Sequence, residues 1–588
     1  MRKSAVRFTA LLAIIAIAGP AAAQQAATTP YEAGSSPNWD ILLNPRTHTP
    51  TPTTAAITPA DLATRLYIFA DDSMAGRLLA TPGNVKGVEY IANEVKQMGL
   101  VPMGDDGTYF QKVNIMERAY DDSTRLAAGS TSFAPWTDYI LRVQGSGPQK
   151  LDGARVIYGG MWGDDATLID PSAAVGKLVV LNANQSGTRQ GMRVAAVIQR
   201  FPQAAGIVAA AMELIPPQMQ QALRQPQQSL QSGDAPASVP TFLYVTKRTA
   251  SALLGADIET AKPGALGLTI TSTPRFRERP TQYPARNVVA MIQGSDPKLR
   301  NEFVAIGAHN DHIGWNVRPA AHDSIFIVNH LYRTGGAEDR SPQLDATQQA
   351  QVNALIADIR RRTNGQSARR DSIYNGADDD GSGSVSALEI AQYFAAEKIK
   401  PKRSLLFVWH VGEEEGLYGS QWYTDHPTVP RDSIVAQLNM DMVGRGSATD
   451  NTGITKDGIR YRGNADYVQL VGSRRLSTEL GDLAESVNKG EKRPMSFDYS
   501  MDANGHPLNI YCRSDHYEYA RYGIPIIFFT TGGHADYHQV TDEPQYIDYD
   551  RMARVAQYVA DLATRVGNLD HRPVVDKEKP DPKGQCVQ

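Results

Sequence analysis

Side chains able to hold a metal ion recur in this chain at the ends of apolar runs. The plainest case is Ser404 to Ser420, SLLFVWHVGEEEGLYGS, where a β-branched and aromatic run stops at Glu413, Glu414 and Glu415. Such a triplet in isolation reads as a solvated acidic loop. The run EFVAIGA (302–308) ends in His309-Asn310-Asp311-His312. A carboxylate two residues from an imidazole suits metal binding, because a ligating histidine usually hands its other N–H to an acceptor that fixes the tautomer. Alone, that pattern reads as a satisfied surface histidine. Asp378, Asp379 and Asp380 precede an apolar helical pattern, where they either cap the helix or supply a hard oxygen ligand that bridges two cations. Asp441 interrupts Leu438-Asn439-Met440-Asp441-Met442-Val443 and is costly to bury unless paired or metal-bound. The run 525–530 is followed by Gly532-Gly533-His534-Ala535-Asp536-Tyr537-His538. Two histidines and three carboxylates suit two sites of mixed nitrogen and oxygen ligands, with a shared aspartate holding two Zn²⁺ roughly 3.5–4 Å apart. A calcium loop would instead be compact and rich in oxygen ligands. Spacing does not choose among Asp378, Asp379 and Asp380, nor decide which glutamate binds metal.

The elements that must position these groups follow from periodicity. Ser404–Trp409, 302–308, Ile434–Met440 and 525–530 are too short and too uniformly apolar for surface helices, and read as buried strands of a mainly parallel sheet. Ligands bind at the carboxyl edge of such sheets, which is where each candidate falls. Thr58 and Pro59 open one helix as N-cap and first residue. Val88, Ile91, Val95 and Met98 mark a second over Gly87–Met98, ended by Gly99. The fold class expected is α/β, a mainly parallel sheet flanked by helices. Residues 127–280 differ: short strands alternate with glycines, a helix is expected over Val194–Phe201, and the segment has no histidine. It reads as a β-rich domain inserted into the catalytic one, a lid or substrate-positioning module.

The amino terminus sets an address. Arg2 and Lys3 precede a short apolar run and Ala21-Ala22-Ala23, the pattern of a signal peptide over 1–23. No later run is long enough for a membrane helix, so the mature chain is expected to be exported, periplasmic or secreted. Residues 24–57, rich in Pro, Thr and Ala, read as an extended lead-in, and 567–588 as a polar tail. The net charge of −4, without a basic block, speaks against a nucleic-acid partner. Cys512 and Cys586 suit a disulfide in an oxidising compartment, but their separation is not legible from the sequence.

HND at His309, GADDDGSG at Gly376, EEEGLYGS at Glu413, NMD at Asn439 and DYH at Asp536 occur in one order. In this the chain resembles the two-zinc aminopeptidase family that includes the glutamate carboxypeptidases, in the subgroup with an inserted protease-associated (PA) domain. The likeness extends over most of Asp71 to Ala563. It implies two Zn²⁺ per chain, bridged by Asp379, with His309 and Asp441 completing one site and Glu414 and His538 the other. It further implies Asp311 as the partner of His309 and Glu413 as general base in amide hydrolysis. His312, His516 and His534 match no ligand position and are expected to be pocket or structural residues. The implied division is a discontinuous peptidase domain over 58–126 and 281–566, a PA domain over 127–280, and an insertion over 316–374 with a helix around Gln348–Ile359. The expected partner is a peptide or small amide, cleaved by an exopeptidase of aminopeptidase type. Dipeptidase or carboxypeptidase action, a one-zinc glutaminyl-cyclase-like acyltransferase, a binding protein and a two-metal phosphoesterase are the alternatives. Oligomeric state is not legible.

Overall fold

The computed structural model describes residues 29–30, 39–121, 123–142, 151–184, 194–216, 219–220, 223–231, 240–333, 341–362, 369–584 and 586–588. The expected signal peptide and part of the lead-in lie outside them. A nine-stranded sheet carries the candidate residues. Its main strands are β1 (Ala285–Ile292), β2 (Phe303–His309), β3 (Ser404–His410), β4 (Ile434–Met440), β5 (Tyr467–Val471) and β6 (Ile526–Thr530). The order is Val101–Pro102, β1, β3, β2, β4, β6, β5, Ser496–Asp498, with Phe110–Val113 also paired to β1. β3, β2, β4 and β6 are parallel neighbours, whereas β1 and β5 join them antiparallel. Every residue of β2, β3, β4 and β6 is buried, which is why these strands show no polar alternation. Register brings the ends level: His309 lies opposite His410.

Helices α1 (Pro59–Phe69), α2 (Pro82–Gln97), α3 (Gly383–Ala396) and α4 (Tyr549–Gly567) pack on this sheet. Leu62, Leu66, Val88, Ile91, Val385, Leu388, Val555 and Val559 share one apolar cluster with β2, β3 and β4. The Thr58 hydroxyl accepts from the Asp61 N–H, as the N-cap reading expects. α2 starts at Pro82 rather than Gly87, because proline fits the first turn, where its missing N–H has no intrahelical partner to lose. Between these helices Arg77, fully buried, donates to the carbonyls of Phe69, Asn375 and Gly376, tying the turn after α1 to the segment that leads into the three aspartates.

A second, eight-stranded sheet spans Arg125–Ala128 through Leu266–Thr273, with apolar clusters of its own around Val156, Leu178 and Val208, and around Val179 and Phe201. The helix expected over Val194–Phe201 runs Val194–Arg200. Among the described residues of the insertion are a two-stranded ribbon, Trp315–Ala320 with Asp371–Ile373, and the helices His322–Tyr332 and Ala346–Arg362. The helix foreseen over Gln348–Ile359 is longer at both ends. His322, between Asp323 and Glu543, and Arg369, paired with Asp371 and Glu543, fasten this insertion to the loop before α4.

Cys512 and Cys586 are bonded, with their Cα atoms 5.8 Å apart and 74 positions apart in sequence. The bond closes the carboxyl-terminal segment onto the loop before β6, where Gln588 also donates to the Met501 and Ala503 carbonyls. Closing a loop of this length removes enough unfolded-chain entropy to contribute about 4 kcal/mol. Cys586→Ser is therefore expected to lower unfolding stability by roughly 2–5 kcal/mol, read as a fall in the denaturant midpoint at unchanged slope.

Candidate metal centre

Five peptide segments deliver the site. β2 ends in His309, whose Nδ1 lies 3.6 Å from Asp311 Oδ1. Asp311 also accepts the backbone N–H groups of Glu413, at 3.2 Å, and Glu414, at 3.4 Å, so one carboxylate stands beside the histidine and holds the loop after β3. The three aspartates, indistinguishable by spacing, have separate surroundings. The Asp378 carboxylate accepts from the Gly444 N–H and faces His534 Nε2 at 3.2 Å. That of Asp380 accepts from the N–H groups of His309, Gly383 and Met442 at 2.9–3.2 Å. Asp379 alone turns to the cleft, with its own N–H and that of Asp378 donating to Asp542. The Asp379–Asp380 peptide is cis. The fourth segment ends β4 at Asp441, which accepts from the Ser514 hydroxyl at 2.7 Å. The fifth follows β6, and His538 there holds φ at 53°, a left-handed conformation that costs a β-carbon-bearing residue free energy.

Two donor groups result. His309, Asp379 and Asp441 form one; Asp379, Glu414, His538 and His312 form the other. Nε2 of His309 is 3.2 Å from Asp379 and 3.8 Å from Asp441. Nε2 of His538 is 3.0 Å from Asp379 Oδ2 and 3.0 Å from Glu414 Oε2, yet is aligned for a hydrogen bond with neither. That is the arrangement of donors converging on a common point. The five ligand positions expected from sequence are thus brought together, and Glu413 lines one cavity with Asp379, Glu414 and Asp441. His312 is an addition: its ring lies in the second group, Nδ1 2.7 Å from Glu414 Oε1. Its signal in the sequence was the repeat of imidazole three residues after His309. Asp380 and Asp542 were also missed in their positioning roles, since backbone N–H groups they hold leave no mark on spacing. His534 is buried against Asp378, as a structural residue would be, while Arg445 is committed to Asp450 and Asp536.

Charge in this space is unbalanced. Burial opposes the imidazolium of His309, but Asp311, Asp379 and Asp441 raise its pKa well above the ordinary value. Burial likewise opposes protonation of His538, and Asp379 with Glu414 outweighs it, raising that pKa to about 10. Burial raises Asp379, yet His309 and His538 bring it well below the usual carboxylate range. Desolvation, with Asp441, Glu414 and Asp515 prevailing over His309, raises Glu413; a bound cation would pull it the other way. Both imidazoles seek positive charge where oxygen and nitrogen donors converge, so the residues fit a pair of divalent ions with zinc's ligand preferences.

The cavity in front of the donors is about 370 Å³ and is lined by Met442, Ile454, Met501, Leu508, Ile510 and Phe528 besides the acids. Arg460, Arg513 and Tyr537 also reach it. Beneath Phe528, His516 stacks at 4.6 Å between ring centres.

Residues 361–563 match the family model described as Peptidase family M28. The match takes in Asp379, Glu413, Glu414, Asp441 and His538, while His309 lies before it and is placed by the structure. Over 206 residues the chain is 27% identical to leucine aminopeptidase 1 of Ajellomyces capsulatus, spanning 33% of this chain and 48% of that protein. Over 120 residues it is 35% identical to a probable leucine aminopeptidase of Arthroderma benhamiae, spanning 18% of this chain and 34% of that protein. The chain thus spans about half or less of these relatives' length. The solved aminopeptidase from Aneurinibacillus sp. strain AM-1 aligns over 89% of this chain and 97% of its own at 16% identity, with a TM-score of 0.45.

Burial, outweighing the opposing influence of the Tyr511 backbone and Asp515, lowers the His516 pKa to about 3. The unfolded chain takes up a proton near pH 6.5 that the folded chain refuses, so stability falls as pH drops below 6.5, by about 1.4 kcal/mol per unit. Urea unfolding at pH 7 and pH 5 should show His516→Phe losing about 2 kcal/mol less than the wild type across that interval.

Proposed function

We propose that this chain is an exported, zinc-dependent exopeptidase of aminopeptidase type, holding two Zn²⁺ through His309, Asp379, Asp441, Glu414 and His538. The observation that carries the reading is Glu413: it lines the cavity beside Asp379, Glu414 and Asp441 but belongs to neither donor group, so its carboxylate is left for proton transfer. The family match over 361–563 supports it. When bound, zinc supplies Lewis-acid polarisation of a carbonyl and an acidified water. The chain's own part begins with the apolar wall of Met442, Ile454, Met501 and Phe528, which receives a side chain beside the donors. Glu413 takes the proton of the attacking water and delivers it to the leaving amine, and the hydrogen bonds that the Glu413 and Glu414 N–H groups donate to the Asp311 carboxylate hold its loop still during the transfer.

The Cys512–Cys586 bond agrees with export, since disulfides persist in oxidising compartments. The eight-stranded sheet, in the place of the PA domain, is assigned to positioning of substrate. Carboxypeptidase action is the second reading, because Arg460 and Arg513 line the same cavity and would suit a terminal carboxylate. Two complete donor groups weigh against a one-zinc acyltransferase.

Chelator-sensitive release of amino-terminal residues from a panel of amino-acyl and carboxyl-terminal dipeptide substrates is expected, with apolar first residues preferred. Release from the carboxyl end would transfer the assignment to the second reading. Glu413→Gln should keep both metals and lose about 10²–10⁴-fold in turnover, whereas Glu414→Gln should lose metal; metal analysis beside the assay separates the two.

A further inference from the structure

His312 has no place in the ligand set that the family likeness implies, yet its ring is aimed at the donors. Nδ1 is 2.7 Å from Glu414 Oε1 and 3.8 Å from Asp379 Oδ2. His538 Nε2 is 3.0 Å from each of the same two carboxylates. Donors of one tetrahedral ion at the usual zinc–ligand lengths lie about 3.3–3.6 Å from one another, and these four separations bracket that value. The other ring nitrogen, Nε2, is buried without a hydrogen-bond partner, so it is the Nδ1 edge, facing Glu414 and Asp379, that fixes how the ring is turned. Its seat is built. A β-carbon on Gly376 would lie 2.5 Å from His312 Cγ, and the φ of Gly376 is +57°, so glycine there lets the ring approach. The His312 N–H of the backbone donates to the Arg77 carbonyl, and the ring meets that of His538 edge to face at 5.6 Å.

We propose that His312 is a fourth protein donor at the Glu414–His538 site, resting on the two-metal reading above. One ion would then be enclosed by Asp379, Glu414, His538 and His312. The other would keep three protein donors, His309, Asp379 and Asp441, and an open position. Sites with four protein ligands are the closed, tightly held kind, and sites with three are the kind that admit substrate. The pair is therefore unequal: the enclosed site fills first, and the added imidazole favours zinc or cobalt over magnesium or manganese there.

The test uses the full chain stripped by chelator and titrated with Co²⁺. Each imidazole on paramagnetic cobalt gives one solvent-exchangeable, shifted ring N–H resonance in the proton NMR spectrum. Two such resonances are expected at the first equivalent, from His312 and His538, and three at the second. His312→Gln should leave two at saturation and weaken the first equivalent by at least about tenfold. Two resonances in the wild type at saturation, or three in His312→Gln, would overturn the assignment. Should the variant not fold, the wild-type count decides by itself. Two resonances with peptide hydrolysis intact would remove His312 alone, whereas failure to bind Co²⁺ together with absence of hydrolysis would remove the two-metal reading as well.

Discussion

Four carboxylates, from Asp379, Glu413, Glu414 and Asp441, share one largely desolvated space, and their mutual repulsion is the constraint on which the rest of the structure depends. Like charges removed from water are tolerated only with a compensating cation or strong donors nearby. The imidazoles of His309 and His538 respond with raised pKa values, holding protons in the position a metal would take. The sheet is the means of imposing this arrangement. Buried on both faces and parallel where it matters, it cannot slip one strand past another without exposing a fully apolar run, so the ends of β2, β3, β4 and β6 stay level and the acids stay together.

Fixing strand ends does not by itself fix loops, and the loops are held by carboxylates that never enter the cleft. Asp380 accepts three backbone N–H groups, one at the end of β2, one at the start of α3 and one after β4, so a single side chain ties together three of the segments that supply ligands. Asp542 does the same for the aspartate segment from the far side, and Asp311 for the loop carrying Glu413 and Glu414. The N–H groups give each of these buried carboxylates hydrogen-bond partners in place of water. The acidic richness of the motifs is thus divided between residues that face the cleft and residues that hold the backbone behind them.

That division explains what was legible in the chain itself. β4 could be read residue for residue as Ile434–Met440, because a run buried on both faces is apolar throughout and ends where the charge appears. α2 was placed five residues late, because its first turn, PGNVK, is set by Pro82 and by contact with the preceding turn rather than by apolar periodicity. Which of the three consecutive aspartates faces the cleft depends on the course of the backbone through 376–383, and composition carries no record of it. His312 was visible only as a histidine near a motif; its direction depends on Gly376 yielding room, a contact between segments 64 positions apart in sequence. The cysteine pairing needed a distance that only the fold supplies.

The wall of the cavity has a different origin from its floor. The donors come from strand ends of the central sheet, whereas Ile454, Met501, Leu508 and Ile510 come from the short strand Asn451–Ile454 and the loops between β4 and β6. Tyr461 and Met501 from those loops pack in a small cluster with Tyr467 at the start of β5, apart from the main core. A wall of that kind would be free to breathe, and the disulfide opposes this by clipping Cys512 to the carboxyl-terminal segment, whose Gln588 accepts from the Tyr511 N–H two residues from the cavity-lining Arg513. The chemistry is therefore set by elements that cannot change without loss of the sheet, and the side-chain preference by a clipped loop that can. Substitution along 501–510 would alter which residue is accepted beside the donors while leaving the donors where the strands put them.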